Sequence, residues 1–216
     1  MIVQAHLSTE NGLDSLPKHV HGFALMHVAM RRDARRLLSV APVLTEAKVG
    51  KVADWWRQVR AVIDWHHHTE DDILWPALRE RVLAFAETEK AMHADHAALD
   101  DAMDAVTAAL RPGRQRGEVE AAAAGFDTII QDHLRAEESV VFKAFCVDLS
   151  AREYSAIEQR VITSAPLPIM QFLVPWMLDG ADSAGAAGAA AAMPPPVRLL
   201  GTTVLRWNYH RQYRWW

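Results

Sequence analysis

The feature that most constrains the fold of this chain is a histidine in the middle of each of four apolar stripes, which recur at helical spacing within residues 1–165. Apolar residues three and four positions apart mark the buried face of an amphipathic helix. No stretch of the sequence shows the sustained alternation of apolar and polar residues that is typical of strands. Because short turns separate the four segments, the sequence predicts an all-α, up-down-up-down four-helix bundle.

Turn and capping residues indicate where these helices begin and end. The four long helices are expected to begin near Pro17, Thr45, Thr88 and Gly117, and the first three to end near Pro42, Arg79 and Arg111. Pro76 should bend the second helix or end it early, because proline lacks the backbone N–H that a helix interior needs. Ser150 and Glu153 form a capping-box pattern, which predicts a shorter fifth helix to about Thr163.

Composition divides the chain into a bundle and a C-terminal extension. The predicted segments are an N-terminal segment (1–16), the bundle (17–146), a fifth helix with an apolar, proline-broken segment (147–179), a Gly/Ala/Pro linker (180–196) and a basic aromatic tail (197–216). The extension beyond the fifth helix is expected to be irregular, because two prolines interrupt it and its Gly/Ala run has little to bury. The tail is expected to fold back on the bundle or to contact a second subunit, in preference to an acidic membrane surface or nucleic acid.

Charge and the length of the apolar runs exclude several classes of protein. A formal net charge of −4 and a pI of about 6.2 argue against a nucleic-acid-binding surface. The longest apolar stretch, 167–178, is about half a bilayer span, so no transmembrane segment is predicted. Cys146 is the single cysteine and residues 1–20 lack a signal-peptide pattern, so the cytoplasm is the expected location.

Two of the four histidines have a glutamate four residues further on. His66 precedes Glu70 and His133 precedes Glu137, and side chains at i and i+4 lie on one helix face, where they can reach the same ion. Each motif continues with a second acid at +5 and an aromatic ring at +9. The sequence therefore contains one metal-ligand motif twice.

Three consecutive histidines in the second helix, His66, His67 and His68, could each begin the motif, and alignment with the fourth helix decides between them. Only the His66 register places Trp75 where the fourth helix has Phe142. A rotation of about 100° per residue then moves His67 to the edge of the inner face and His68 to the far side. The residues expected at the surface or in supporting positions are His67, His68, His93 and Asp71. Asp95 and Asp132 each precede a candidate ligand and either orient its imidazole or lie on a solvated face.

The two halves of the bundle repeat in spacing, which predicts a pseudo-twofold arrangement. The histidines of the first helix pair are 39 residues apart, and those of the second pair are 37 residues apart. The six donors expected to meet at mid-bundle are His27, His66, Glu70, His96, His133 and Glu137. Six donors exceed what one tetrahedral zinc ion uses, and they suit two metals about 3.5–4 Å apart. Imidazole and carboxylate without thiolate favour iron, with manganese or zinc as alternatives.

The order H…HxxxE…H…HxxxE resembles that of the haemerythrin-like (HHE cation-binding) family over residues 17–145. The arginine pair after His27, the Leu-Trp-Pro sequence after Glu70 and the segment from Asp95 to Leu99 support the resemblance. It implies two iron ions with an oxo or hydroxo bridge, bridging carboxylates from Glu70 and Glu137, and one open position for a small ligand. Oxygen carriers of the family have a fifth histidine one turn before the third-helix ligand. That position is Met92 here, so the chain resembles the four-histidine, two-glutamate members.

The resemblance also implies a function. His27 and His66 would hold one iron, and His96 and His133 the other. A protein of this kind reacts with hydrogen peroxide, dioxygen or nitric oxide in oxidative or nitrosative stress, using an electron donor that the sequence does not identify. The alternatives left open are a reversible oxygen-binding protein, a sensor of oxygen, nitric oxide or iron without turnover, and a metal-storage protein. Whether the chain is an enzyme, such as a peroxidase, a catalase-like protein or a nitric-oxide-handling oxidoreductase, stays open with them.

Overall fold

The fold is helical throughout the part of the chain that can be described. A computed structural model of the protein describes residues 7–10, 12–82, 85–181, 185–187, 193 and 195–213. Every regular element within these ranges is a helix or a helical turn, and none of their residues forms a strand. The all-α class expected from the apolar periodicity is therefore confirmed.

Four long helices and one short helix form the body of the protein. Their bounds are His21–Val40 (α1), Glu46–Thr69 (α2), Trp75–Arg79 (α3), Phe85–Ala109 (α4) and Arg116–Lys143 (α5). α5 packs against α1 and α4, and α2 packs against α4. The apolar stripes meet in one core, where Leu99, Phe126 and Ile130 are fully buried. The helical bundle predicted from the four stripes is thus confirmed.

The second helix is interrupted where the sequence predicts a bend. A π-helical turn, Glu70–Leu74, follows α2, and Pro76 lies in the first turn of α3. Proline clashes with the carbonyl four residues earlier, which here belongs to Asp72 within the π turn. The wider turn accommodates this clash, and it begins at the glutamate of the His66 motif. A second π-helical turn, Ala144–Asp148, follows α5.

The fifth helix forms as its capping box predicts. It spans Ala151–Ser164 (α6), and the Ser150 hydroxyl accepts a hydrogen bond from the Glu153 N–H while the Glu153 carboxylate accepts one from the Ser150 N–H. α6 packs against both π-helical turns. α6 approaches α1 closely at Gly22: a Cβ atom added to Gly22 on α1 would lie 2.6 Å from Oε1 of Glu158 on α6. The helix therefore lies directly over one side of the bundle.

The C-terminal extension is helical where it is described, and the expectation of an irregular chain is wrong there. Leu167–Leu178 (α7), Pro195–Thr202 (α8) and Val204–Tyr213 (α9) are helices. α7 packs against α1 and α2, so its apolar side chains gain more from burial than its prolines cost. Pro168 lies in the first turn, where no N–H is needed. Pro175 lies inside the helix, where it removes the hydrogen bond to the carbonyl of exposed Gln171 and crowds that carbonyl. Most of the predicted linker at 180–196 lies outside the described residues.

The aromatic tail folds back on its own chain, which is the first of its two expected positions. The rings of Tyr209 and Tyr213 lie 5.6 and 5.9 Å from that of Phe172 on α7. The Tyr209 hydroxyl donates a hydrogen bond to Asp179 at 3.3 Å. Residues 214–216 are not among the described residues. None of the described helices is long and apolar enough to cross a membrane.

Two tryptophans test whether α7 belongs to the core. Trp176 is fully buried and donates its indole N–H to Asp33 on α1 at 2.6 Å, whereas Trp207 on α9 is 61 % exposed. Trp176→Ala is expected to lower the free energy of unfolding by about 3–5 kcal/mol, because it leaves a large cavity. Trp207→Ala is the matched control, with an expected change within about 0.5 kcal/mol. Equal effects in urea unfolding would contradict the packing of α7.

Candidate metal centre

All six donors predicted from the sequence lie buried at one level of the bundle. Each of them is at most 6 % exposed. α1, α2, α4 and α5 supply one histidine each, and α5 also supplies Glu137. Glu70 opens the π-helical turn that follows α2. The four stripes thus bring these side chains together in the core.

One group of donors joins α1, α2 and α5. The side chains of His27, His66, Glu70 and Glu137 each offer an atom within 4.8 Å of the others. Nε2 of His66 lies 2.9 Å from Oε1 of Glu70, and Nε2 of His27 lies 3.6 Å from Oε2 of Glu137. Two imidazoles and two carboxylates at these distances are a donor set that can surround one cation.

A second group consists of three histidines. One ring nitrogen from each of His67, His96 and His133 lies within 4.8 Å of the other two. The rings of His67 and His96 are stacked with centroids 4.1 Å apart, and the ring of His133 lies 5.1 Å from that of His96. This second donor set consists of imidazoles alone.

The two glutamates lie between the groups. Glu70 directs Oε1 to His66 and Oε2 to His96, the latter at 3.5 Å from Nε2. Oε2 of Glu137 lies 3.6 Å from Nε2 of both His27 and His133. Each carboxylate therefore contacts one histidine of either group, and the contacts repeat across the predicted pseudo-twofold axis.

The expectation of a surface position for His67 is wrong, because its side chain is buried within the second group; of the two expected positions, only a supporting one agrees with its burial. A helix inside a bundle faces two neighbours, and a rotation of about 100° moves a side chain from one neighbour to the other. His68, rotated once more, is exposed as predicted, with Nδ1 at 2.6 Å from the carbonyl of Asp64. The motif in α5 has Leu134 where α2 has His67, so this imidazole breaks the symmetry of the site.

Glu138 holds the histidine of α1 from behind, and the sequence analysis missed this role. Its carboxylate accepts hydrogen bonds from Nδ1 of His27 at 3.0 Å, from the Ser8 hydroxyl and from the hydroxyl and N–H of Thr9. Arg31 lies 3.2 Å away through a guanidinium nitrogen. Burial opposes ionisation of this carboxyl, but the bond from His27 and the charge of Arg31 hold its pKa well below the usual range. An ionised Glu138 thus orients His27 with Nε2 towards the first group.

Asp71 lies behind His96 of α4, as Glu138 lies behind His27 of α1. Its Oδ1 lies 3.4 Å from Nδ1 of His96 and 3.3 Å from Nδ1 of the half-exposed His93. Asp71 and Glu138 are the acids at +5 in the two motifs, so the repeat itself was the signal that could have assigned them. Asp132, considered for this role from the sequence, is exposed and pairs with Arg135.

Burial keeps most of the site imidazoles neutral. It lowers the pKa of His133 to about 3 and that of His67 well below the usual value, because desolvation penalises the charged ring. The pKa of His27 is also lowered by burial, although Glu138 opposes the shift. For His96, burial lowers the pKa, but the nearby carboxylate of Glu70 outweighs burial and raises it. A neutral imidazole has the free lone pair that a metal ligand needs.

The pKa values of the two glutamates at the site, Glu70 and Glu137, shift in opposite directions. For Glu70, burial raises the pKa, but the His66 imidazole outweighs it and holds the pKa well below the usual value. For Glu137, burial and the neighbouring charge of Glu70 both raise the pKa well above its usual value. Two carboxylates at one level of an apolar core therefore repel each other, and a cation between them would remove the cost.

The polar atoms of this cluster also have few hydrogen-bond partners within the described ranges. Both oxygens of Glu70 and Glu137 and both ring nitrogens of His67 and His133 are buried without one. Buried polar atoms in proteins are almost always paired with protein, water or an ion. The orphaned atoms point to cations as the missing partners, and the residues fit two metal ions.

An all-α bundle with a buried cluster of histidines and glutamates is the class of protein that fold and site define. Within that class, residues 19–145, more than half of the chain, match the family described as Hemerythrin HHE cation binding domain. The chain belongs to this family, which confirms the resemblance seen in its motifs. Comparison with curated proteins finds no match, and comparison with solved structures finds none either.

The neighbouring glutamates of α5 give a test that needs no metal. In the metal-free protein, Glu137→Gln is expected to leave the free energy of unfolding unchanged or raise it, because it removes a buried carboxyl that lacks a described partner. Glu138→Gln is expected to lower it by about 3–5 kcal/mol, because it removes the charge that pairs with buried Arg31. Urea unfolding of both variants measures the difference. Equal losses would show that Glu138 has no special partners.

Proposed function

We propose that this chain binds two iron ions and reacts through them with hydrogen peroxide, dioxygen or nitric oxide. His27 and His66 would hold one ion, and His96 and His133 the other, with Glu70 and Glu137 bridging both. The observation that carries the proposal is the pair of buried donor groups with a carboxylate of each motif between them. A carboxylate that contacts both groups is the arrangement that bridging requires.

His67 adds a fifth imidazole to the proposed ligand set. It is buried in contact with the rings of His96 and His133, and neither of its nitrogens has a hydrogen-bond partner among the described residues. We therefore propose that three imidazoles would hold the second ion and two the first, one imidazole more than the four-histidine set expected from the sequence. Iron suits imidazole and carboxylate donors, and manganese or zinc remain competitors for the same set.

The chain's own residues prepare the site for this chemistry. The bound ions would supply an electron-exchanging centre with room for a small ligand. Glu138 fixes the imidazole of His27 from behind by a hydrogen bond, so its ligand nitrogen is positioned before a metal arrives, and Asp71 lies 3.4 Å from Nδ1 of His96. Phe23 and Phe142 lie against His27, with centroids at 4.5 and 6.3 Å, and keep water from that side. The role that follows is oxidant handling, and the cytoplasm stays its predicted location.

Reversible oxygen binding or sensing without turnover is the second candidate function. Met92, which is buried, occupies the position where the sequence comparison expects the fifth histidine of oxygen carriers. His67 restores a fifth imidazole to the second group from α2, and this favours the alternative more than the sequence did. The two functions differ in whether the small ligand is released intact.

Metal content tests the proposed ligands directly. Glu70→Ala and His67→Ala are each expected to lose about one metal equivalent or more, because each removes a buried donor. His68→Ala is the matched control on the same helix, and it should retain the full content because His68 is exposed. Elemental analysis after iron loading gives the result. If His68→Ala empties the site while His66→Ala does not, the His66 register is wrong.

An optical spectrum distinguishes an iron protein from a zinc protein, and turnover measurements then distinguish a protein that reacts with oxidants from an oxygen carrier. Iron-loaded, oxidised protein should absorb in the near ultraviolet, and anaerobic reduction should bleach it, whereas a zinc protein is silent. If the protein turns over, repeated additions of hydrogen peroxide or nitric oxide should be consumed while an electron donor lasts. If it is a carrier, oxygen should bind and be recovered intact under vacuum, and no peroxide should be consumed.

A further inference from the structure

An apolar cavity lies beside the metal centre, on the side that α6 and α7 cover. Its volume is about 90 Å³. The start of α1, the end of α2 with the following π turn, and both C-terminal helices contribute to its wall, and so do His66 and Glu70 of the first donor group. The cavity therefore borders the site without being part of the ligand set.

The wall of this cavity is unsuited to water. Most of its area comes from apolar side chains, including Phe23, Leu74, Phe145, Ile157 and Leu173. Two of the polar groups next to them have partners: the Thr69 hydroxyl donates to the carbonyl of His66, and the Tyr154 hydroxyl donates to Glu158. Nε2 of His66 and the carboxylate oxygens of Glu70 have no described hydrogen-bond partner, and they belong to the donor group at the border of the cavity. A buried water needs about two to four polar partners, and apolar cavities without them stay dry.

The volume limits what the cavity can hold. A single water needs roughly 10–15 Å³ of such space, and an engineered apolar cavity of about 150 Å³ binds benzene or xenon. A space of about 90 Å³ therefore accommodates an uncharged molecule of a few heavy atoms but not a large organic substrate.

One aromatic ring of the cavity wall, that of Phe23, also contacts histidines of the first donor group. Phe23 belongs to the cavity wall, and its centroid lies 4.5 Å from that of His27 and 5.5 Å from that of His66. A molecule in the cavity would thus lie against His66 and Glu70 of the first donor group, which line the cavity themselves. The part of the wall supplied by residues 151–178 lies beyond the matched family domain, so the extension completes a chamber whose other side belongs to that domain.

We propose that this cavity is a binding chamber for a small, uncharged, apolar molecule, and that it supplies dioxygen or nitric oxide to the His66 and Glu70 side of the metal centre. The delivery role rests on the proposed function, whereas binding in the chamber does not. Apolar gases partition into dry apolar cavities, so the chamber raises the local concentration of ligand beside the site.

Xenon is the probe for binding, because it is apolar, uncharged and independent of iron. Metal-free and iron-loaded protein should both bind xenon between Phe23, Ile157 and Leu173, seen in crystals under xenon pressure and by ¹²⁹Xe NMR titration. Leu173→Phe fills the chamber and should weaken xenon binding by about tenfold or more. Leu178→Phe is the matched control, since Leu178 is buried on the same helix but does not line the cavity.

Several results would overturn the chamber. They are the absence of xenon from the wild-type cavity, ordered water in its place, or equal xenon binding in wild type and Leu173→Phe. Circular dichroism and thermal unfolding establish that both variants fold. Ile162→Phe, which changes a half-buried lining residue, replaces Leu173→Phe if that variant does not fold.

Delivery is tested by the rate at which nitric oxide binds to reduced, iron-loaded protein in stopped flow. Leu173→Phe should lower this rate constant by about tenfold and Leu178→Phe should leave it unchanged. An unchanged rate in Leu173→Phe, with xenon binding lost, would refute delivery and retain the chamber. If the chain binds xenon but no iron, the proposed function fails while the chamber stands.

Discussion

The constraint on which the rest of the structure depends is the free-energy cost of burying two carboxylates and five imidazoles at one level of an apolar bundle. Such groups are expensive to remove from water unless something with a positive charge compensates them. The raised pKa of Glu137, and the oxygens of both glutamates that have no hydrogen-bond partner among the described residues, indicate that the protein groups described compensate this cost only in part. A helical bundle can hold this arrangement because its stability comes from the apolar stripes above and below, including Met103 and Phe126. The site can then be organised for binding cations at the expense of local stability.

A layer of residues behind the donors fixes their geometry. Each HxxxE motif continues with an acid that lies behind a histidine of another helix: Glu138 accepts a hydrogen bond from His27 on α1, and Asp71 lies 3.4 Å from Nδ1 of His96 on α4. The π-helical turn at Glu70–Leu74 starts at the first motif's glutamate, and α6 packs on that turn. Although α6 and α7 lie outside the family domain, they close one side of the metal centre and form the cavity beside it. The extension is therefore structurally coupled to the site.

The sequence predicts those features that depend on periodicity and local chemistry. The four stripes, the six donors, the interruption near Pro76 and the capping box of α6 all follow from spacing and from single residues. His67 was misplaced because a stripe treats the inner face of a helix as one line, whereas α2 faces two neighbours. α7 was misjudged because its two prolines outweighed its apolar character in the sequence, and burial against α1 reverses that balance. The partners of Glu138 lie 129 and 130 residues away in the chain, at Thr9 and Ser8, which no local pattern reveals.

Anomalous X-ray diffraction at the iron edge, from crystals of the iron-loaded protein, tests the central claim most directly. The account predicts two anomalous peaks about 3.5–4 Å apart. One should lie among His27, His66, Glu70 and Glu137, and the other among His67, His96 and His133. A single peak, peaks outside these two groups, or no peak from protein crystallised with excess iron would contradict it.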